Sequence, residues 1–265
     1  MIGHLKSNIK KFLLSQQIWL SKTTDKKQLL EFLDSVKPVR TNHDLIRIGG
    51  ETDGGYLIPN DIEDINTCFS PGVSEIADFE NDLTKRGIKC FLADYSVDAP
   101  PIENALFDFE KKYLGSKNNE IFITLESWIE SKAPTKCDLI LQMDIEGFEY
   151  PVIFDTSSEI LNRFRILVIE FHNLDRLFNP IGFEFINLTF AKILKTPFKS
   201  SVDDLAAIES HVIAPQLTAP NPAAKLPEER FPTVVILVLP AQFITSIFCT
   251  FCKDKIVFAC VADNT

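Results

Sequence analysis

Between residues 65 and 195 the chain alternates short apolar runs with amphipathic stretches. Ile65–Phe69, Lys89–Ala93, Cys137–Met143 and Arg165–Phe171 have the length of strands. Cys137–Met143 is nearly continuous in its apolar character, which predicts a central strand buried on both faces. Glu120–Leu125 alternates with a period of two and reads as a further strand. Among these runs, Ala77–Arg86 brings Phe79 and Leu83 onto one helical face, and Ile102–Leu114 and Ile181–Lys195 also read as helices, as does the stretch after Met143. The rhythm predicts an α/β fold of three layers, a mostly parallel sheet with helices on both faces and right-handed crossovers. Ligands of such sheets bind beyond the carboxyl ends of the strands.

The flanks read differently. Leu45–Ile58 places two short apolar runs around the turn Gly49-Gly50-Glu51-Thr52-Asp53-Gly54-Gly55, which predicts a hairpin. Its glycines serve turn geometry, or they let backbone approach a ligand closely; glycine alone does not separate the two. Ile2, Leu5, Ile9, Phe12 and Leu13 share a helical face near Lys6, Lys10 and Lys11. A first helix packed on the domain is preferred there to one lying on a membrane surface. Residues 215–232 are rich in proline and read as a loop. Thr233–Phe251 has no charged residue and approaches the ~20 residues of a bilayer-spanning helix. Pro240 and Gln242 at its middle, with its wealth of Val, Ile, Phe and Thr, favour strands that close the sheet. The organisation expected is an N-terminal helical segment over 1–42, a core over 43–200 and an atypical C-terminal segment over 201–265.

A net charge of −10 makes a phosphate backbone a poor partner, so no nucleic acid is expected. The six cysteines form no dense framework, and three of them, Cys68, Cys90 and Cys137, sit in apolar runs, where thiols act as small hydrophobes. A reducing, cytoplasmic setting is expected. Cys249 and Cys252 lack the further ligands of a zinc site.

Polar groups gather at predicted strand ends: Asp94 after the second run, Asp144 and Glu146 after Met143, Glu170 and His172 after the last. The architecture turns all of them toward one rim. Asp94, beyond a strand-turn-helix unit closed by Gly72, suits ribose hydroxyls of a dinucleotide or an adenosyl group. Ser70-Pro71-Gly72-Val73-Ser74-Glu75 holds one glycine where a dinucleotide fingerprint needs three, which argues against NAD.

These stretches resemble the FkbM-type methyltransferase family. The likeness rests on Asp53-Gly54-Gly55-Tyr56, Phe69–Glu75, Phe91-Leu92-Ala93-Asp94, Met143-Asp144-Ile145-Glu146-Gly147-Phe148-Glu149-Tyr150 and Val168-Ile169-Glu170-Phe171-His172, in order over residues 43–195. It implies a Rossmann-like class I methyltransferase fold, S-adenosylmethionine as donor, and O-methylation of a sugar or metabolite hydroxyl. It places Ser70, Gly72, Glu75, Asp94, Asp53, Gly54 and Gly55 at the cofactor, and His172, Asp144 and Glu146 at the chemistry. Proline in the glycine loop and the absence of recognisable closing strands after Lys195 depart from the family. His172 is the expected general base, since imidazole titrates near neutrality. A purely structural tie to Glu170 or Asp144 is the competing reading. No full ligand set for a divalent cation can be assembled around Asp144, and no metal is expected. A small-molecule or glycan acceptor is the expected partner, with membrane association the lesser alternative. The rival functions are a non-catalytic Rossmann-like binding domain and, less favoured, an NAD-dependent oxidoreductase.

Overall fold

A computed structural model describes residues 9–13, 15–17, 21–36, 43–51, 54–133, 137–195 and 234–238. Its elements in chain order are α1 (Lys26–Ser35), β1 (Leu45–Ile48), β2 (Tyr56–Pro59), β3 (Thr67–Pro71), α2 (Asp78–Thr84), β4 (Lys89–Ala93), β5 (Phe107–Glu110), β6 (Tyr113–Leu114), β7 (Phe122–Ile123), α3 (Leu125–Lys132), β8 (Leu139–Met143), α4 (Glu149–Asp155), α5 (Ser158–Leu161), β9 (Phe164–Glu170), a 3₁₀ turn (Leu174–Phe178), α6 (Pro180–Lys195) and β10 (Val234–Val238).

Six strands pair in the order β10-β9-β8-β3-β4-β5, every pair parallel. The chain runs outward from β3 through β4 to β5, then returns to the other side of β3 as β8. That reversal is a topological switch point, and it opens a crevice at the carboxyl ends of β3 and β8. As predicted, β8 is central and every residue in it is buried.

Strand alternation divides the core in two. Phe69, Phe91, Leu141, Met143, Leu167 and Ile169 face a layer that includes Phe32, Trp128, Ile153 and Phe190 from the helices. Cys68, Cys90, Leu92, Ile140, Ile166 and Val168 point the other way. That second face is covered by α2 and by the antiparallel β1-β2 hairpin, through Phe79, Leu83, Ile48, Tyr56 and Ile58. The described second layer is therefore part helix and part hairpin, a departure from helices on both faces.

Four further expectations change. Ile102–Leu114 is not a helix: Phe107 and Phe109 alternate with Asp108 and Glu110 as β5, the phenylalanines packing on the second core. Asp108 meets Lys89 and Lys132, and Glu110 meets Lys132, so the alternation of charge is satisfied by neighbours on β4 and α3. Leu125 does not end a strand but opens α3, where the Thr124 hydroxyl accepts from Ser127 N at 3.2 Å as an N-cap. Cys137 is exposed, while Cys68 and Cys90 are buried as expected. Residues 9–13 are helical, yet Ile9 and Phe12 are exposed, so the expected packing of that stripe is not seen at these positions. Beyond Val238 the tail lies outside the described residues. Among the described residues, no helix is long and apolar enough to cross a membrane.

Candidate active site at the switch point

A cavity of about 730 Å³ opens at the carboxyl ends of β3, β4 and β8. Two short contacts at Gly72 fix part of its wall. Gly72 follows β3 with φ +88°, and a Cβ on it would stand 1.7 Å from the Asp144 carbonyl oxygen. Only glycine permits both that conformation and that approach of the β3 and β8 ends. The close neighbour that requires glycine here is the chain's own backbone at Asp144. Gly72 N also donates to the Ala93 carbonyl at 2.9 Å, tying the loop to β4.

Asp94, at the end of β4, is buried on this wall. Its Oδ2 accepts from Ser74 N at 2.9 Å, and its Oδ1 accepts from Ser96 N and Ser96 Oγ, each at 2.7 Å. An ionised carboxylate offers about four acceptor sites, so one remains for a ligand hydroxyl. Glu75 and Gly54 also line the cavity, whereas Ser70 lies fully buried beneath it and Gly55 packs against Gly50 away from it. Asp53 lies outside the described residues.

The second half of the wall is the turn after β8. Glu146 has φ +55° and Gly147 φ +98°, two left-handed residues in succession. Such backbone costs on the order of 1–3 kcal/mol unless its surroundings hold it. Glu149 holds it: fully buried, its Oε1 accepts from Gly147 N at 3.0 Å and from Ile145 N at 3.2 Å. The same oxygen lies 2.9 Å from His172 Nδ1. His172 Nε2 in turn stands 3.7 Å from Asp144 Oδ1 and 3.6 Å from Glu146 Oε2. Sequence reasoning missed Glu149, although the signal was visible, since an acid opening a helix is placed to accept amides of the preceding turn.

The electrostatics follow from this packing. The hydrogen bond with Glu149, reinforced by the charges of Glu149, Asp144 and Glu146, outweighs desolvation and raises His172 to about 9. Burial acts to raise Glu149, but the bonds from His172 and Gly147 N prevail and lower it. Both shifts describe one ion pair, with the imidazole protonated at neutral pH. His172 stands behind Asp144 and Glu146 rather than on the cavity wall. Asp144, Glu149 and His172 also each offer one ligand atom within 4.8 Å of the others, the spacing a cation would need. Nδ1 is committed to Glu149, and a shared proton accounts for the closeness of the groups.

Glu75, Glu80, Asp94, Asp144 and Glu146 make the wall acidic, and no Lys, Arg or His lines it among the described residues. Tyr113, Phe122 and Phe148 line one side, with ring centroids 5.8 and 6.1 Å apart, and Tyr95 extends the row at 5.4 Å. The arrangement suits an uncharged or cationic ligand with a flat face, held by hydrogen bonds to carboxylates. It does not suit a pyrophosphate.

No curated protein and no solved structure matches the chain. The motifs Met143–Tyr150 and Val168–His172, which build the acidic turn and its histidine, fall within a family match, while Asp53–Tyr56, Phe69–Glu75 and Phe91–Asp94 precede it. Residues 105–195 match the model of the Methyltransferase FkbM domain.

Proposed function

We propose that the chain is an S-adenosylmethionine-dependent O-methyltransferase acting on a sugar or metabolite hydroxyl. The observation that carries this reading is the acidic switch-point cavity with Asp94 buried in its wall, beside a turn that lies inside the FkbM-domain match. Residues present fit the donor. Asp94 retains acceptor capacity for a ribose hydroxyl. An acidic wall with no Lys, Arg or His among its described lining residues favours a ligand of positive charge, and the aromatic row offers faces for a planar base. The same features disfavour an NAD-dependent oxidoreductase, since nothing on the described wall would neutralise phosphates.

The donor, when bound, supplies an electrophilic methyl group on a cationic sulfur. The protein aligns the acceptor oxygen with it and keeps water out, which can be worth roughly 7–11 kcal/mol. The acceptor O–H becomes strongly acidic as its oxygen forms the new bond, so a carboxylate is base enough to take the proton. We assign that proton to Asp144, on the cavity wall. His172 serves it from behind as an imidazolium held by Glu149, and Glu146 meets the acceptor's other hydroxyls. This revises the role first expected of His172: its position and its protonation suit fixing Asp144 and Glu146 better than accepting a proton at pH 7. A general base of this kind contributes about 10²–10⁴ in rate.

Calorimetric titration with S-adenosylhomocysteine, with NADH as the comparison, tests the reading. Asp94→Asn keeps the shape and removes a charged acceptor, and a charge-assisted hydrogen bond is worth about 1.5–3 kcal/mol. Affinity for S-adenosylhomocysteine should fall by about one to two decades in this variant, with the fold intact by circular dichroism. Binding of NADH in preference to S-adenosylhomocysteine would overturn the donor assignment.

A further inference from the structure

Beneath the cavity lies a chain of polar groups that the methyl-transfer reading does not use. Ser70, Glu80 and Gln142 are buried on β3, α2 and β8, and Tyr56 is buried on β2. Glu80, Gln142 and Tyr56 reach the cavity wall, while Ser70 lies behind them. Ser70 Oγ stands 2.7 Å from Gln142 Oε1 and within hydrogen-bond distance of Glu80 Oε1 on its other side. Gln142 Nε2 donates to the Tyr56 hydroxyl at 3.3 Å.

Counting protons constrains this chain. The Ser70 hydroxyl has one hydrogen and two oxygen neighbours. If that hydrogen goes to Gln142 Oε1, the contact with Glu80 must carry a proton of its own, so Glu80 is a carboxylic acid that donates to Ser70. If Glu80 is ionised, Ser70 must donate to it. Gln142 then has to rotate its amide, with Nε2 donating to Ser70 and Oε1 accepting from Tyr56. The two arrangements present opposite hydrogen-bonding polarity at Gln142 and Tyr56, which are the atoms a ligand on the cavity floor would meet.

Surroundings of Glu80 favour the acid. Desolvation is the largest influence and raises it to about 7, against the hydrogen bond from Ser70, with Asp78 two residues earlier adding to the rise. The other titratable groups packed near it are the Cys68 thiol on β3, which burial pushes well up, and the Cys90 thiol on β4, whose Sγ lies 3.6 Å from the Glu80 carbonyl. Tyr56 closes the chain from β2, and Asp94 shares the cavity wall from β4. From β1, Arg47 is engaged with the Gly50 carbonyl at 2.7 Å. None of the groups that act on Glu80 is basic.

We propose that Glu80 is a positioning residue of this cavity: held as the neutral acid, it fixes the Gln142 amide and the Tyr56 hydroxyl in the one arrangement that accepts the ligand, and its ionisation reverses them. The linkage to ligand rests on the methyltransferase reading, whereas the protonation of Glu80 does not.

Infrared difference spectra of the full chain against Glu80→Gln test the protonation directly. At pH 6 the native protein should show a carboxylic-acid carbonyl band that the variant lacks, and the band should vanish by pH 8. The variant should fold and bind S-adenosylhomocysteine with affinity independent of pH. In the native chain affinity should fall about tenfold from pH 6 to pH 8, as the competent fraction declines. Absence of the band at pH 6, or its persistence in the variant, overturns the proposal. So does a native affinity as flat with pH as that of the variant. If S-adenosylhomocysteine binds neither protein, the donor reading fails and the ligand linkage with it, while the band still decides whether Glu80 holds the proton.

Discussion

At the scale of single residues the site is governed by which carboxylates are shared and which are exposed. Glu149 is fully buried and serves three donors at once: two amides of the preceding turn and His172. Removing it would release a strained turn and take from His172 its Nδ1 partner, so its importance is greater than its distance from the cavity suggests. A pH dependence follows from the histidine. The folded-state value of about 9 lies above that of an unfolded imidazole. The folded state therefore binds the proton more tightly, and this contribution is fully present below about pH 6.5 and is lost as pH rises toward 9. Melting temperature of the native chain should decline between pH 6.5 and 9 by more than that of His172→Gln, which cannot titrate. Parallel profiles for the two proteins would show that His172 carries no shared proton. The identities of Asp94, Asp144 and His172 as neighbours of one rim were legible in the sequence because strand ends are legible. The roles were not, because protonation is decided by Glu149, whose partners come together only in the fold.

Elements show where pattern reading succeeds and where it fails. Runs such as Lys89–Ala93 and Leu139–Met143 emerge as strands because all of their residues but Lys89 are buried in the sheet. Ile102–Leu114 misled because Ile102, Leu106 and Phe109 can be placed on one helical face, and the competing alternation of Phe107 and Phe109 with Asp108 and Glu110 is only four residues long. Lys132 decides the matter, since its ion pairs with Asp108 and Glu110 draw those acids to one face of a strand. That lysine belongs to α3, itself hidden in the sequence behind the strand-like Glu120–Leu125. What anchors α3 is Trp128, fully buried, with its ring 4.9 Å from that of Phe69 at 82°. Its indole N–H has no hydrogen-bond partner among the described residues. Trp128→Ala should therefore cost about 3–5 kcal/mol through the cavity it leaves. Trp128→Phe retains an aromatic ring against Phe69 and removes the unsatisfied donor, so its cost should be well under half of that. Urea titrations that ranked the phenylalanine variant as the worse of the two would show that ring packing is not what holds this helix.

For the whole molecule the open question is the C-terminal segment, where an uncharged run allowed either closing strands or a membrane span. Val234–Val238 pairs in parallel with Ile166–Glu170 and so occupies the edge of the sheet beside β9. Ile166, Leu167, Val168 and Ile169 are all buried, and they would stand in an edge strand if β10 were absent. An edge with four successive uncharged, buried residues invites pairing between molecules. The described residues that line the cavity come from β2, α2, β4, β6, β7 and β8 and from the loops before β2 and after β3, β4 and β8. Stability and ligand binding should therefore separate on truncation. A chain ending at residue 215 should melt at a lower temperature than the full chain and form larger species on size exclusion, while its monomeric fraction keeps its affinity for S-adenosylhomocysteine. Unchanged melting and a clean monomer would mean that β10 adds nothing to the sheet. Loss of affinity in a stable monomer would mean instead that the segment beyond residue 215 contributes to the site. Sequence pattern could not decide this because Val, Ile, Phe and Thr satisfy lipid and a pleated neighbour alike. What distinguishes the two is whether the neighbouring strand has an unpaired edge to offer, and β9 does.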